Sequence, residues 1–217
     1  SSLYAGRVIT VGTLIAIFLS TSDEMLPIFL SEAVPVSTIV KILGTKVVIA
    51  VISGFIVEFI YHFTLHRKDE DMDIEVVCEE EHCSCKDGLF VAALKHTLRI
   101  FVYIFIISLI LNLVIGMIGE DNLASLFSSL PVVGEAVAAL IGLIPNCASS
   151  VVITQLYLDG IIGAGPMMAG LLVNSGVGLL ILCRLNRHVK ENAAIIGSVY
   201  ALGLIWGIII EFTGIVF

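Results

Sequence analysis

Six apolar stretches, at 8–30, 38–63, 97–118, 123–144, 161–183 and 193–217, dominate this sequence. Each is close to the ~20 residues that a helix needs to cross about 30 Å of hydrocarbon. A segment in that layer finds no water for its backbone N–H and C=O groups, so it must bond them internally, as an α-helix does. The composition fits no other solvent. The chain is 58% hydrophobic and 14% charged, with a mean hydropathy of +1.08, against about 45–50% and about 25% in soluble domains. In water such a chain would carry large adhesive patches. The expected class is therefore an all-α, polytopic integral membrane protein whose principal partner is the lipid bilayer.

Charge is concentrated in one place. Of the nineteen acidic residues, eight lie between Asp69 and Glu81 with no Lys or Arg among them, and they account for the whole net charge of −8. Nothing in this distribution suggests a nucleic-acid partner. Of the five cysteines, Cys78, Cys83 and Cys85 crowd the same polar loop, while Cys147 and Cys183 lie in or beside apolar segments. That pattern suits metal-ligating or inert thiols better than a secreted disulfide framework.

The chain matches itself without gaps at an offset of 153 residues. Identical pairs include Tyr4/Tyr157, Gly12/Gly165, Ala16/Ala169, Ser22/Ser175, Gly44/Gly197, Gly54/Gly207 and Glu58/Glu211. Shared greasiness explains matched Leu and Ile, but not matched Tyr, Ser, Gly and Glu. Basic residues then give orientation, because short loops rich in Lys and Arg stay cytoplasmic. Arg184, Arg187 and Lys190 put the 185–192 connection inside, whereas the equivalent 31–37 loop has one acid and no base. Equivalent loops on opposite faces mean inverted repeats with an odd number of spans each. The expected architecture is an inverted repeat of five-span units with broken helices. Residues 1–64 form the C-terminal part of a first repeat whose earlier spans lie upstream of Ser1. Residues 65–88 form an acidic Cys/His-containing cytoplasmic loop, and 89–217 the second repeat.

Several residues stand out against this apolar background. Thr21, Ser22, Asp23 and Glu24 interrupt the 8–30 stretch, with Asp23 roughly 6 Å from its middle at 1.5 Å per residue. A charge at that depth costs about 2.5–3.5 kcal/mol on insertion scales, so it marks a cavity or a partner. Pro27 favours a break there, and the equivalent segment around Asn174 and Ser175 is also polar. Broken helices at mid-membrane expose carbonyls and half-helix ends that bind ions. Pro145 ends another helix, and Asn146, Cys147 and Ser149 follow it with hard and soft ligand atoms. The proposed central site thus draws on Thr21, Ser22, Asp23, Glu24, Asn146, Cys147, Ser149, Asn174 and Ser175, with Asp23, Glu24 and Cys147 as metal ligands. Glu58, Glu211 and Lys46 are candidates for proton coupling or gating; Lys46 either neutralises Asp23 or Glu24 or snorkels. Glu135 is a weaker candidate for lining the path. Cys78, His82, Cys83 and Cys85 offer a loop metal site, but lack the two-residue spacing of structural zinc sites. A solvated acidic linker explains that loop equally well.

The segments Leu3-Tyr4-Ala5-Gly6-Arg7-Val8-Ile9-Thr10, Thr21-Ser22-Asp23-Glu24 with Pro27-Ile28, His82-Cys83 with Leu94-Lys95-His96-Thr97, and Ile144-Pro145-Asn146-Cys147 leading to Leu156-Tyr157-Leu158 carry a family likeness. Together they resemble a family of prokaryotic ten-helix heavy-metal exporters, often labelled manganese transporters. The resemblance implies a multi-pass protein of the prokaryotic inner membrane that exports a divalent or heavy-metal cation. It implies no cofactor beyond the transported ion. A homodimer is compatible with it. Rival readings are export of a metalloid oxyanion or small organic solute, an intramembrane enzyme, and a metal sensor. Catalysis is disfavoured because the spans lack a GxSxG elbow, a HExxH pair and an Arg-rich phosphate cluster.

Overall fold

The computed structural model describes Tyr4 and residues 9–21, 25–64, 98, 102, 105, 106, 109, 132–145, 147–186, 188–215 and 217. Its regular structure is entirely helical among these residues. Among the described residues the helices with defined bounds are, in order, α1 Val11–Ser20, α2 Met25–Ser31, α3 Val36–Thr64, α4 Val133–Gly142, α5 Cys147–Leu158, α6 Ala164–Val173, α7 Gly178–Leu185 and α8 Val189–Thr213. Four segments among the described residues are long and apolar enough to cross a membrane: Val11–Ser31, Val36–Phe63, Ala164–Arg184 and Val189–Thr213. The chain is a multi-pass membrane protein.

Two of these spans are continuous and two are not. The apolar runs of α3 and α8 contain no proline, and α8 stops where Gly214 takes the left-handed conformation (φ 64°) that closes a helix end. In the span made by α6 and α7 the helix leaves its path at Asn174, whose ψ of 97° is extended. It resumes at Gly178, after Gly176 at φ 54°. Likewise α1 ends at Ser20, Thr21 is extended, and α2 starts at Met25. Residues 22–24 lie outside the described residues. Pro27 and Pro166 do not kink these helices. Each falls in a first turn, where its missing N–H is not needed. At 1.5 Å per residue, Thr21 and Asn174 are the midpoints of the spans Val11–Ser31 and Ala164–Arg184.

The core is built around α6, all ten of whose residues are buried. It packs against α1, α4, α5 and α8, while α1 pairs with α3. Small residues make the closest approaches. A Cβ placed on Gly54 would lie 2.8 Å from Ala16 Cβ and 3.0 Å from the Gly12 carbonyl oxygen. One placed on Gly207 would lie 2.6 Å from Ala169 Cβ and 2.9 Å from the Gly165 oxygen. These are the same contact 153 residues apart, made by antiparallel helices through small residues four apart. The outward faces are apolar instead of polar. Phe55, Phe59 and Phe63 on α3 are 74%, 73% and 83% exposed. Leu98, Val102, Phe105, Ile106 and Leu109, all helical and exposed, make a stripe at the spacing of one helix face. Lipid is the solvent that such faces require.

Of the six expected stretches, four coincide with spans and the C-terminal part of 123–144 is α4. The 65–88 loop and most of 97–118 lie outside the described residues. The glycine contacts make a direct test. G54A and G207A, where the new methyl meets backbone and a fixed Cβ, are expected to lose roughly 1–3 kcal/mol. G44A and G197A, which meet nothing within 4 Å, should stay within about 1 kcal/mol of the parent. Thermal unfolding in detergent measures both pairs.

Candidate functional site

Two half-helices ending inside the hydrocarbon leave carbonyls with no partner one turn further on. At the end of α1 the Thr21 N–H still bonds the Ile17 carbonyl, and at the end of α6 the Asn174 N–H bonds that of Gly170. Beyond those bonds the chain departs. Lys46, from the middle of α3, fills the gap. Its Nζ donates to the Thr21 carbonyl at 3.1 Å and to the Leu171 carbonyl at 2.7 Å. The residue is completely buried, so Lys46 does not snorkel to the interface. One ammonium therefore bonds the C-terminal ends of both half-helices. Each such end carries roughly half a negative charge, so one lysine approximately balances the two.

Further polar groups lie around the second break. Asn174 is buried, accepts the Gly176 N–H on its Oδ1 at 2.9 Å, and donates from Nδ2 to Ser149 Oγ at 3.4 Å. Ser149 Oγ donates in turn to the Ile144 carbonyl at 3.2 Å, tying the start of α5 to the end of the α4 segment. The Oγ atoms of Ser175 and Thr154 are buried and have no hydrogen-bond partner among the described residues. Of the expected residues, the structure thus joins the gating candidate Lys46 with the central-site residue Thr21, and the central-site residues Asn174 and Ser149 with each other. Ser22, Asp23, Glu24 and Asn146, the side chain of Cys147, and the loop residues Cys78, His82, Cys83 and Cys85 lie outside the described residues. Among the described residues no three His, Cys, Asp or Glu side chains gather where a metal would bind. Cys183 is a free, exposed thiol.

Glu58 and Glu211 occupy matched environments away from the breaks. Glu58 Oε2 accepts the Gly12 N–H at 3.0 Å, and Glu211 Oε2 accepts the Gly165 N–H at 3.0 Å. Gly12 and Gly165 are the second residues of α1 and α6, where backbone donors are otherwise orphaned and the helix dipole favours a negative charge. Each carboxylate near the end of a long helix thereby holds the start of a half-helix. Tyr4 Oη donates to Glu191, and Glu135 is buried in the first turn of α4.

One contact was invisible in the sequence. Trp206 Nε1 donates to Ser53 Oγ at 2.9 Å, and these two residues are 153 apart. That is the offset at which the sequence matches itself, but their side chains differ, so no identity flagged them. The Leu171 carbonyl was likewise beyond reach, since a backbone acceptor leaves no compositional trace.

Replacing Glu58 or Glu211 by Ala should strand a buried N–H and cost about 1–3 kcal/mol. E58Q and E211Q keep an acceptor oxygen and should stay within about 1 kcal/mol of the parent. Melting temperatures of the four purified variants decide this.

Comparison with known proteins adds the family. No curated protein and no solved structure matches the chain. Residues 59–212, well over half of the 217, match the model of the family described as "Putative, 10TM heavy-metal exporter". With its broken membrane spans and its buried polar centre, this chain belongs to that ten-helix heavy-metal exporter family.

Proposed function

We propose that the protein is an alternating-access exporter of a divalent or heavy-metal cation in a prokaryotic inner membrane, manganese-like in its substrate. The observation that carries this reading is the pair of mid-span helix breaks at equivalent positions, Thr21 and Asn174. Breaking a helix in hydrocarbon costs several kcal/mol for each unsatisfied backbone group, so a chain retains two such breaks where they bind something. The substrate site takes Ser22, Asp23 and Glu24 from the first break and Asn174 and Ser175 from the second. Asn146 and Cys147 join them from the start of α5. Carboxylates and carbonyls replace the water shell of the cation, and the thiolate favours softer ions.

Two inverted five-span units give the motion. Support comes from the matched α1–α3 and α6–α8 contacts, the opposite charge of equivalent loops, and the Ser53–Trp206 bond. A residue touches its own repeat equivalent only near the axis that relates the two units. On this reading Glu58 and Glu211 act as gates, each releasing the start of a half-helix as its unit rocks. The 65–88 loop delivers metal on the cytoplasmic side.

A second reading, export of an anionic metalloid species, draws on the buried ammonium of Lys46. The two half-helix ends that meet it supply about as much negative potential as it supplies positive, which leaves the centre better suited to a cation once the nearby acids are added. The test is metal accumulation in cells carrying the full-length protein, across manganese, zinc, iron, cadmium and arsenite. The parent should lower intracellular content of one cation, and D23N and C147A should each cut that export at least roughly tenfold, equivalent to about 1.4 kcal/mol. Unchanged export in both variants removes this site, and protection against arsenite alone selects the anion reading.

A further inference from the structure

The least expected group in the interior is a lysine that bonds main chain from both broken spans. Its position is not that of a surface cation drawn inward. Lys46 sits about 5 Å from the middle of the Val36–Phe63 span at 1.5 Å per residue. No part of it is exposed. Its Nζ takes one carbonyl from α1 and one from α6, helices that occupy equivalent places in the two repeats and touch each other. The repeat partner of Lys46 is Val199. Among the described residues the ammonium at this crossing therefore comes from one side only.

Two half-helix C-termini with inward carbonyls make a cation site by their own chemistry, and about one unit of negative potential resides there. We infer that Lys46 is a tethered cation occupying that carbonyl site, so that its ammonium and a free metal cation exclude one another from the Thr21 and Leu171 carbonyls. The inference rests on the cation-export reading for its consequence in transport, but its binding claim stands on the lysine geometry alone. With the lysine in place the Thr21 and Leu171 carbonyls are satisfied without bound metal. An arriving cation takes over the carbonyls only as the side chain withdraws, and departure of the metal lets the lysine return. The exchange keeps the half-helix ends satisfied in both conditions, which a bilayer interior demands. It also discriminates by charge, because a neutral solute does not replace the ammonium.

The test uses the purified full-length protein in lipid nanodiscs, with K46A and K46M as variants. K46A removes three methylenes and the ammonium and leaves a propylammonium-sized vacancy, whereas K46M keeps the bulk and removes the charge. K46A should melt roughly 5 °C or more below the parent, and propylammonium at tens of millimolar should restore most of the loss. The same amine should leave the parent and K46M unmoved. Cadmium, read by its effect on melting and by direct titration, should bind K46M at least tenfold more tightly than the parent. Equal cadmium affinity in K46M and the parent overturns the inference. So does an absence of amine rescue in a folded K46A. Should K46A not fold, the cadmium comparison in K46M decides. If the parent exports no metal from cells while amine rescue and tighter cadmium binding are both seen, the transport reading fails and the tethered-cation site stands. If the parent exports metal but neither effect is seen, the reverse holds.

Discussion

A helix that ends inside hydrocarbon must find partners for its last carbonyls within the protein, and this requirement organises the structure. Water is absent at that depth, and each unmet group costs several kcal/mol. Two spans of this chain end halfway, at Thr21 and near Asn174, and their terminal carbonyls converge on a single buried ammonium. The lysine is expensive to bury, and so are the exposed carbonyls. Brought together, the two costs offset one another, in the way that a buried ion pair is tolerable only when both members are present. The position of α3 follows, since it must run past both ends to deliver the side chain.

The opposite ends of the half-helices are held by the same logic with reversed charge. Early N–H groups of α1 and α6 need acceptors, and Glu58 and Glu211 supply them from the far ends of α3 and α8. Those bonds form only because the helices approach very closely. Gly12, Ala16 and Gly54 permit it in one pair, and Gly165, Ala169 and Gly207 in the other. Among lipid tails the hydrophobic effect does not distinguish a helix neighbour from an acyl chain. Close van der Waals contact through small residues and a few buried hydrogen bonds then give the cohesion.

These constraints also bear on transport. A continuous helix would cross the bilayer at less cost, so the breaks are the part of the architecture that folding alone does not explain. Around the second break Asn174 and Ser149 bond each other, and Ser175 Oγ has no partner among the described residues. A polar atom left over in an apolar interior is the sort of group that a cargo ion satisfies.

Much of this was legible in one dimension because membrane insertion is governed by local composition. The apolar length of the four described spans and the interruption that begins at Thr21 follow from residue types read in order, and so does the match of Gly12, Gly54 and Glu58 to Gly165, Gly207 and Glu211. The sequence also marked Lys46 as an anomaly, but left it two incompatible fates, snorkelling to the interface or turning inward to neutralise Asp23 or Glu24. Only packing decided between them, because a flexible four-carbon stem reaches either destination and the choice depends on which carbonyls lie within reach. The pairing of Ser53 with Trp206 and the meeting of the Thr21 and Leu171 carbonyls belong to the same class. They join residues far apart in the chain through helix geometry, and all four groups are backbone carbonyls or unmatched side chains that leave no pattern along the sequence. Residue chemistry determined that this chain crosses a membrane with broken helices. Tertiary structure alone determined which group closes the breaks, since hydrogen bonding acts through distance in space and not through separation in the chain.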